Sequence, residues 1–426
     1  MIRLIEALNF RCLRYVRQSL GPFHVLVGPN ASGKTTFLDV VAFLGRMVSD
    51  GLDAAVSERT ENFYDLLWRR KGSRFALAIE ADVPEEFRIP PQAPRDVIRY
   101  EVTIDLSSLD ARTRKTCILE EQIRLVDAGT LAKPSVLAGA AAAPRSIALP
   151  VNAPQWQPLL RPFGPGVYDA TAENSWRDGR GRKTNPGANS YDLLVEAVED
   201  RGVLSALNPA RFPASAWLRG LLRQGVRHYE LSSAKLRRPS PPGKGIILEE
   251  DGGNLPWVVS SLCASTPKRF NNWLRHLQTA LPDVAGIRVV ERPEDKHRYL
   301  MVRYRNGLEV PSWMLSDGTL RLLALTVLPY ALNGQQICLI EEPETSIHPL
   351  NIESVLQSLS SMHGGQVLVA THSPAVLAAS RLDLVLVFSR DAIHGTYIVR
   401  GNSHPALKDW KGQPNLSVLF ASGVLG

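Results

Sequence analysis

FHVLVGPNASGKTTFLDVVAFLGRMV (23–48) decides the fold. FHVLVG (23–28) is a continuous apolar run that stops at glycine, the pattern of a strand buried on both faces. From 33 to 48, Phe37, Val40, Val41, Leu44 and Val48 recur at helical spacing. Strand, tight loop and helix therefore follow one another within 26 residues. The loop between them, GPNASGKT (28–35), satisfies GxxxxGK[ST] in full. Glycine stands where a Cβ would block the approach of a phosphate chain to backbone N–H groups, and the following helix aims the positive end of its dipole at that chain. Asn30, Ala31, Ser32, Gly33, Lys34, Thr35 and Thr36 are the candidate binding residues. Lys34 is placed to reach β- and γ-phosphates and Thr35 to ligate Mg²⁺.

Working outward, MIRLIEALNFRCL (1–13) alternates as a strand, and FALAIEADV (75–83), IRYEVTIDL (98–106) and CILEEQIRLV (117–126) alternate at period two, predicting an antiparallel meander. From about 128 to 245 the character changes: 134–166 is rich in Ala and Pro, 177–190 is polar and Gly-rich, and only 191–200 and 214–225 read as helical. Regular pattern resumes with helices predicted at 267–280, 318–332, 350–362 and after Pro374. Strands are predicted at 286–291, 299–305, 336–341, 366–371 and 384–389. Strands alternating with helices predict a largely parallel sheet. The reading divides the chain into 1–127, an insertion 128–245, and 246–426.

Two further segments carry chemistry. QICLIEE (336–342) is an apolar strand ending in two carboxylates: Glu341 is placed to hold Mg²⁺ and Glu342 to polarise an attacking water as general base. ATHSP (370–374) follows the next strand, and its His372 sits at a strand's C-terminal end, where α/β sheets place ligands. LSDGTLR (315–321) opens a helix: Ser316 or Asp317 reads as its cap, and the N–H groups near Gly318 form a second candidate anion site.

The order GPNASGKT, LSDGT, CLIEEPETSIHP, ATHSP resembles the ATP-binding cassette head, and more narrowly the SMC-like and OLD-like ATPases of bacteria, as do LNFR (8–11) and DGGNLP (251–256). The resemblance covers roughly 1–126 and 246–400. It implies an α/β ABC-type P-loop ATPase head, with a mostly parallel core, an antiparallel meander and a largely irregular or helical insertion. It implies ATP and Mg²⁺ as cofactors, Glu342 as catalytic base, Glu341 as the metal-side acid and His372 as the switch histidine. Ser316, Asp317 and Gly318 then form a signature loop that meets ATP held by a second copy, so the expected assembly is a homodimer or a higher even-numbered oligomer. Ser346, Ile347 and His348 fall where the family's loop crosses between copies, although His348 reads equally as a surface residue ahead of Pro349. Gln122 is the candidate for the family's Mg²⁺-linking glutamine. LSDGT departs from LSGGQ at Asp317 and Thr319. The 54 residues after His372 are too few for the nuclease domain appended in OLD-type proteins, so a separate effector, a nuclease or toxin, is expected. A role in anti-phage defence or genome maintenance is implied by the family alone.

Charge and composition bound the alternatives. Net charge is +7, and between Arg177 and Lys244 thirteen Arg or Lys face six Asp or Glu, a basic segment (177–244) suited to nucleic acid or an acidic protein. The longest apolar stretch, 319–332, is interrupted by Arg321 and falls short of the ~20 residues that span a bilayer. With no signal-like N-terminus, a cytoplasmic protein with no membrane role is expected. Cys12, Cys117, Cys263 and Cys338 form no CxxC pair and read as buried free thiols. Two other functions share these motifs: a scaffold that binds ATP to hold a toxin or nuclease inactive with little turnover, and a transporter's ATPase subunit.

Overall fold

The computed structural model describes residues 1–88, 96–110, 113–127, 143–147, 156–164, 167–173, 193–196, 200–332, 336–391 and 393–405. Among these the chain forms two compact units. One draws on Met1–Gly21, Ala31–Val226 and Phe388–Val399, the other on Pro22–Asn30, Arg227–Val387 and Arg400–Gly426.

The first unit holds a six-stranded sheet in the order Leu13–Ser19, Ile2–Phe10, Arg74–Asp82, Val97–Asp110, Thr113–Val126, Trp156–Pro158. All its pairings are antiparallel, as the period-two alternation at 75–83, 98–106 and 117–126 predicts. One face is apolar. The helix Lys34–Asp50 lays Phe43 against it, with ring centroids 5.8 Å from Phe10 and 5.6 Å from Phe75. The alternate positions carry charge that is nonetheless buried. The Arg99 guanidinium meets Glu6 at 2.7 Å, Glu80 at 3.0 Å and Glu101 at 3.0 Å. A buried cation is tolerable only when its donors are matched in this way.

Between 191 and 200 the structure corrects the sequence. Leu193–Glu196 is a strand, paired antiparallel with Val167–Ala170. Four residues of LLVE are too few for periodicity to separate strand from helix, and cross-strand pairing settles the matter. The second expected helix is present as Pro213–Gly220, extended by a wider turn, Leu221–Gly225. Glu173 caps it from a distant position, accepting hydrogen bonds from the Ala214 and Ser215 backbone N–H groups and from Ser215 Oγ.

The second unit is built on parallel strands. Ile337–Glu341 pairs with Gln366–Thr371, which pairs with Phe23–Val27, which pairs with Val385–Val387. Their residues are almost wholly buried, which is why each reads as an unbroken apolar run rather than an alternating one. His24, the polar exception on the first of these strands, is held by its Nδ1 at 3.0 Å from the Leu384 carbonyl, and burial keeps its pKa below the usual imidazole range. The helices Pro267–Ala280, Asp317–Ala331 and Pro349–Ser360 meet around fully buried Trp273, whose indole N–H donates to Thr326 Oγ1 at 3.0 Å. An antiparallel sheet of Val284–Glu291, Arg298–Tyr304 and Glu309–Pro311 completes the unit.

Among the described residues no helix is long and apolar enough to cross a membrane. All four cysteines are free, but only Cys338 is buried. Cys12 and Cys117 are half-buried and Cys263 is exposed, against the expectation of four buried thiols.

Candidate functional site

The loop read from the sequence as a phosphate cradle has the backbone of one. Ala31 takes φ +61° and Gly33 φ +105°, left-handed conformations that turn successive N–H groups to one side. Gly33 is also packed: a Cβ there would stand 2.5 Å from Thr396 Oγ1 and 3.2 Å from Cys12 Sγ. Thr396 Oγ1 donates to the Ser32 carbonyl at 2.8 Å, fixing the loop from below. Lys34 and Thr35 begin the helix directly after Gly33, which supplies no side-chain cap. Thr36 is buried and takes a hydrogen bond from Cys12 Sγ at 3.3 Å. The Ser32 hydroxyl is buried without a hydrogen-bond partner. Left-handed backbone at Ala31 and Gly33, an unsatisfied buried hydroxyl at Ser32 and a helix N-terminus together fit a phosphate group. Gly28 and Asn30 continue from the strand Phe23–Val27, Gly28 buried and Asn30 exposed.

In the second unit the parallel register aligns the strand ends. Val27 stands beside Thr371, and Ala370 beside Glu341. Glu342 follows at φ +47°, a costly conformation for a side-chain-bearing residue, and its N–H donates to the Ala370 carbonyl at 2.8 Å. The turn brings Glu342 Oε1 to 3.0 Å from His372 Nδ1, with both side chains about half exposed. Two residues singled out separately in the sequence are thus one pair. Glu341 turns elsewhere: its Oε1 lies 3.2 Å from His228 Nε2, and this hydrogen bond raises the His228 pKa above the usual imidazole value.

Sequence reasoning missed three residues here. His228 lies within 128–245 and has no pattern to mark it. Thr371 and Glu344 flank the recognised motifs: Thr371 Oγ1 donates to Glu344 Oε1 at 2.6 Å and accepts from the Ser373 N–H at 2.9 Å. Burial raises the Glu344 pKa, and its Oε2 is buried without a partner. The third glutamate of EEPE was the available signal. Glu342 and Glu344 therefore brace the turn after one strand against the turn after its neighbour.

The signature segment is tied down within its own unit. Ser316 caps the helix Asp317–Ala331, accepting from the Thr319 N–H at 3.1 Å. Asp317 is ion-paired with Arg237 at 2.5 Å, and Gly318 packs against the backbone of Ser346, where a Cβ would collide with the Ser346 carbonyl. His348 caps the helix Pro349–Ser360, its Nδ1 accepting from the Leu350 N–H at 3.3 Å. Arg237, counted in the basic segment 177–244, thus has an acidic partner within the chain, and Arg219 is bound to the Ser205 and Leu207 carbonyls; Lys244 pairs with Glu249 but stays exposed. The polar stretch 177–190 lies outside the described residues. Gln122 is buried among Arg124 and Glu120 in the first unit's charged network.

A buried strand running into GPNASGKT, a neighbour leading into His372 and, beyond that neighbour, a strand ending in glutamates define a P-loop nucleoside-triphosphatase fold. Residues 23–125 and 210–378 match the family model described as "AAA domain, putative AbiEii toxin, Type IV TA system"; this is more than half of the chain, and the protein belongs to that family. Among solved structures it is similar to the Smc head bound to the C-winged helix domain of ScpA, at 12% identity and a TM-score of 0.52, over 93% of this chain and 97% of that one. It is also similar to the Smc head with an extended coiled coil bound to the C-terminal domain of ScpA from Pyrococcus furiosus (11% identity, TM-score 0.46, 93% and 95% covered). A third is the SMC head domain from Thermotoga maritima (12% identity, TM-score 0.41, 94% and 98% covered). The fold is that of an SMC-like ABC-type ATPase head. A comparison with curated proteins returned no match.

Proposed function

We propose that this protein binds ATP with Mg²⁺, associates with a second copy around the nucleotide, and separates on hydrolysis, so that ATP works as a switch for a partner effector or for DNA. The observation that carries this reading is the Glu342–His372 pair. A carboxylate half open to solvent and oriented by an imidazole is the arrangement a general base for water needs. Lys34 is assigned to the β- and γ-phosphates, Thr35 and Glu341 to Mg²⁺, and Ser316 with the backbone N–H groups of Asp317 and Gly318 to the nucleotide of the other copy. The bound metal supplies charge neutralisation on the phosphates. His372 fixes the Glu342 carboxylate through its Nδ1. The toxin–antitoxin system named in the family description supports a setting in which a toxin is controlled; an effector nuclease and a role in prokaryotic defence are part of the same proposal. An intact Glu342 favours turnover over a scaffold that only binds ATP.

The test is Glu342→Gln in the full chain. It is expected to keep ATP binding, to lose phosphate release, and to lengthen the lifetime of an ATP-dependent dimer in sedimentation velocity. Unchanged phosphate release in this variant sinks the assignment.

A further inference from the structure

The signature segment here reads LSDGT, with a carboxylate where an approaching triphosphate brings like charge. At a helix N-terminus Asp317 suits the helix dipole, yet a bare carboxylate opposes any phosphate drawn to the same N–H groups. Arg237 answers that charge. Its Nε and Nη2 both reach Asp317 Oδ1, at 3.1 and 2.5 Å. Its Nη1 donates to the Trp313 carbonyl at 3.1 Å, and its own carbonyl accepts from Ser312 Oγ at 3.2 Å. Side chain and backbone of Arg237 thus both grip the 312–317 segment from the short helix Ser233–Arg237, which is anchored by buried Leu236. Arg321, one turn into the signature helix, reaches back to the Leu231 carbonyl at 2.8 Å. The contact is therefore made from two sides, and a guanidinium held by three acceptor contacts costs little further ordering when a ligand arrives.

We propose that Arg237 is a positioning residue of the signature loop: it neutralises Asp317 and fixes Ser316–Gly318, so that the loop accepts a phosphate of ATP held by a second copy. The idea rests on the proposed dimer around ATP. It places a residue of the segment between the two motif-bearing stretches in control of association, without contact between Arg237 and nucleotide.

The experiment uses the full chain, with three readouts: fluorescent ATP-analogue binding at low protein concentration, ATP-dependent dimerisation, and turnover against protein concentration. Arg237→Gln is expected to keep analogue binding, melt as a folded protein, and lose about tenfold or more in dimerisation and turnover. Arg237→Lys, which keeps charge without the fork, is expected to fall between the two. Asp317→Asn introduced into Arg237→Gln is expected to recover most of the loss, because no charge then needs neutralising. Full turnover and dimerisation in Arg237→Gln overturn the proposal, and so does a double variant no better than Arg237→Gln. A wild-type chain that binds the analogue but neither dimerises nor turns over fails at the dimer reading itself, before any variant is compared.

Discussion

His372 Nδ1 lies 3.0 Å from Glu342 Oε1, across the ends of two adjacent parallel strands. The contact exists because Glu342 accepts φ +47° and because its N–H is tied to Ala370, the residue two before His372. On the proposed function, an imidazole so placed acts through the carboxylate. His372→Ala is therefore expected to lower turnover by about 10²-fold while ATP binding stays. Groups that act as a unit are not additive. On the Glu342→Gln background the histidine change is expected to add little. Single-turnover phosphate release from the four proteins checks this, and losses that multiply would show that the two residues work separately.

The phosphate loop offers a second prediction. Gly33 is left-handed and closed off by Thr396 and Cys12. Gly33→Ala is expected to destabilise the folded chain by about 1–3 kcal/mol, from backbone strain and overpacking together. Thr396→Ala removes the atom nearest the added methyl and is expected to return part of that loss, though not the strain. Denaturant unfolding of the single and double variants measures both terms. Equal destabilisation with and without Thr396 would place the whole cost in the backbone.

Much of this was legible in the sequence, for identifiable reasons. Phe23–Val27, Ile337–Glu341 and Gln366–Thr371 are buried on both faces, so they appear as unbroken apolar runs that lead directly into the candidate site residues. The meander announced itself by alternation, which its two unlike faces require. The Arg237–Asp317 pair did not, because its partners are 80 residues apart and each alone looks like surface charge. His228 was hidden for the same reason: only folding carries it to Glu341, 113 residues away. The strand Leu193–Glu196 was misread because a four-residue strand is defined by its partner rather than by its own pattern.

A third prediction concerns pH. Glu121 is fully buried and accepts hydrogen bonds from the Val203 and Leu204 N–H groups and from the Tyr100 hydroxyl. Burial outweighs these contacts and raises its pKa above the ordinary carboxylate value. The folded chain then holds this proton more tightly than the unfolded chain does. The resulting stability is fully present below the unfolded pKa of about 4.3, and it is lost as pH rises through the folded value. Glu121→Gln keeps one acceptor oxygen and removes the titration. The melting temperature of the wild type minus that of the variant is thus expected to fall as pH rises above about 4. A difference that does not move with pH contradicts the assignment of a raised pKa to this carboxyl.

Gly318 separates two roles that a signature glycine can hold. Contact with nucleotide on a second copy needs a bare backbone, but so does the packing seen within one chain, where the Ser346 carbonyl occupies the space a Cβ would take. Ser346 is itself left-handed at φ +64°, in the turn that runs from Glu342 to the cap His348. A methyl at 318 has no flexible side chain to displace; it must move that turn. Gly318→Ala is therefore expected to loosen residues 342–348 in the nucleotide-free monomer, at a cost of about 1–3 kcal/mol. Hydrogen exchange without ATP reads this directly, as faster exchange at the Thr345 and Ile347 amides, which are bonded to the Glu342 and Glu344 carbonyls. An exchange pattern identical to wild type without ATP, joined to a loss of ATP-dependent association, would assign Gly318 to nucleotide alone. Faster exchange instead makes the glycine a mechanical link, through which displacement of the signature loop reaches the turn that carries Glu342.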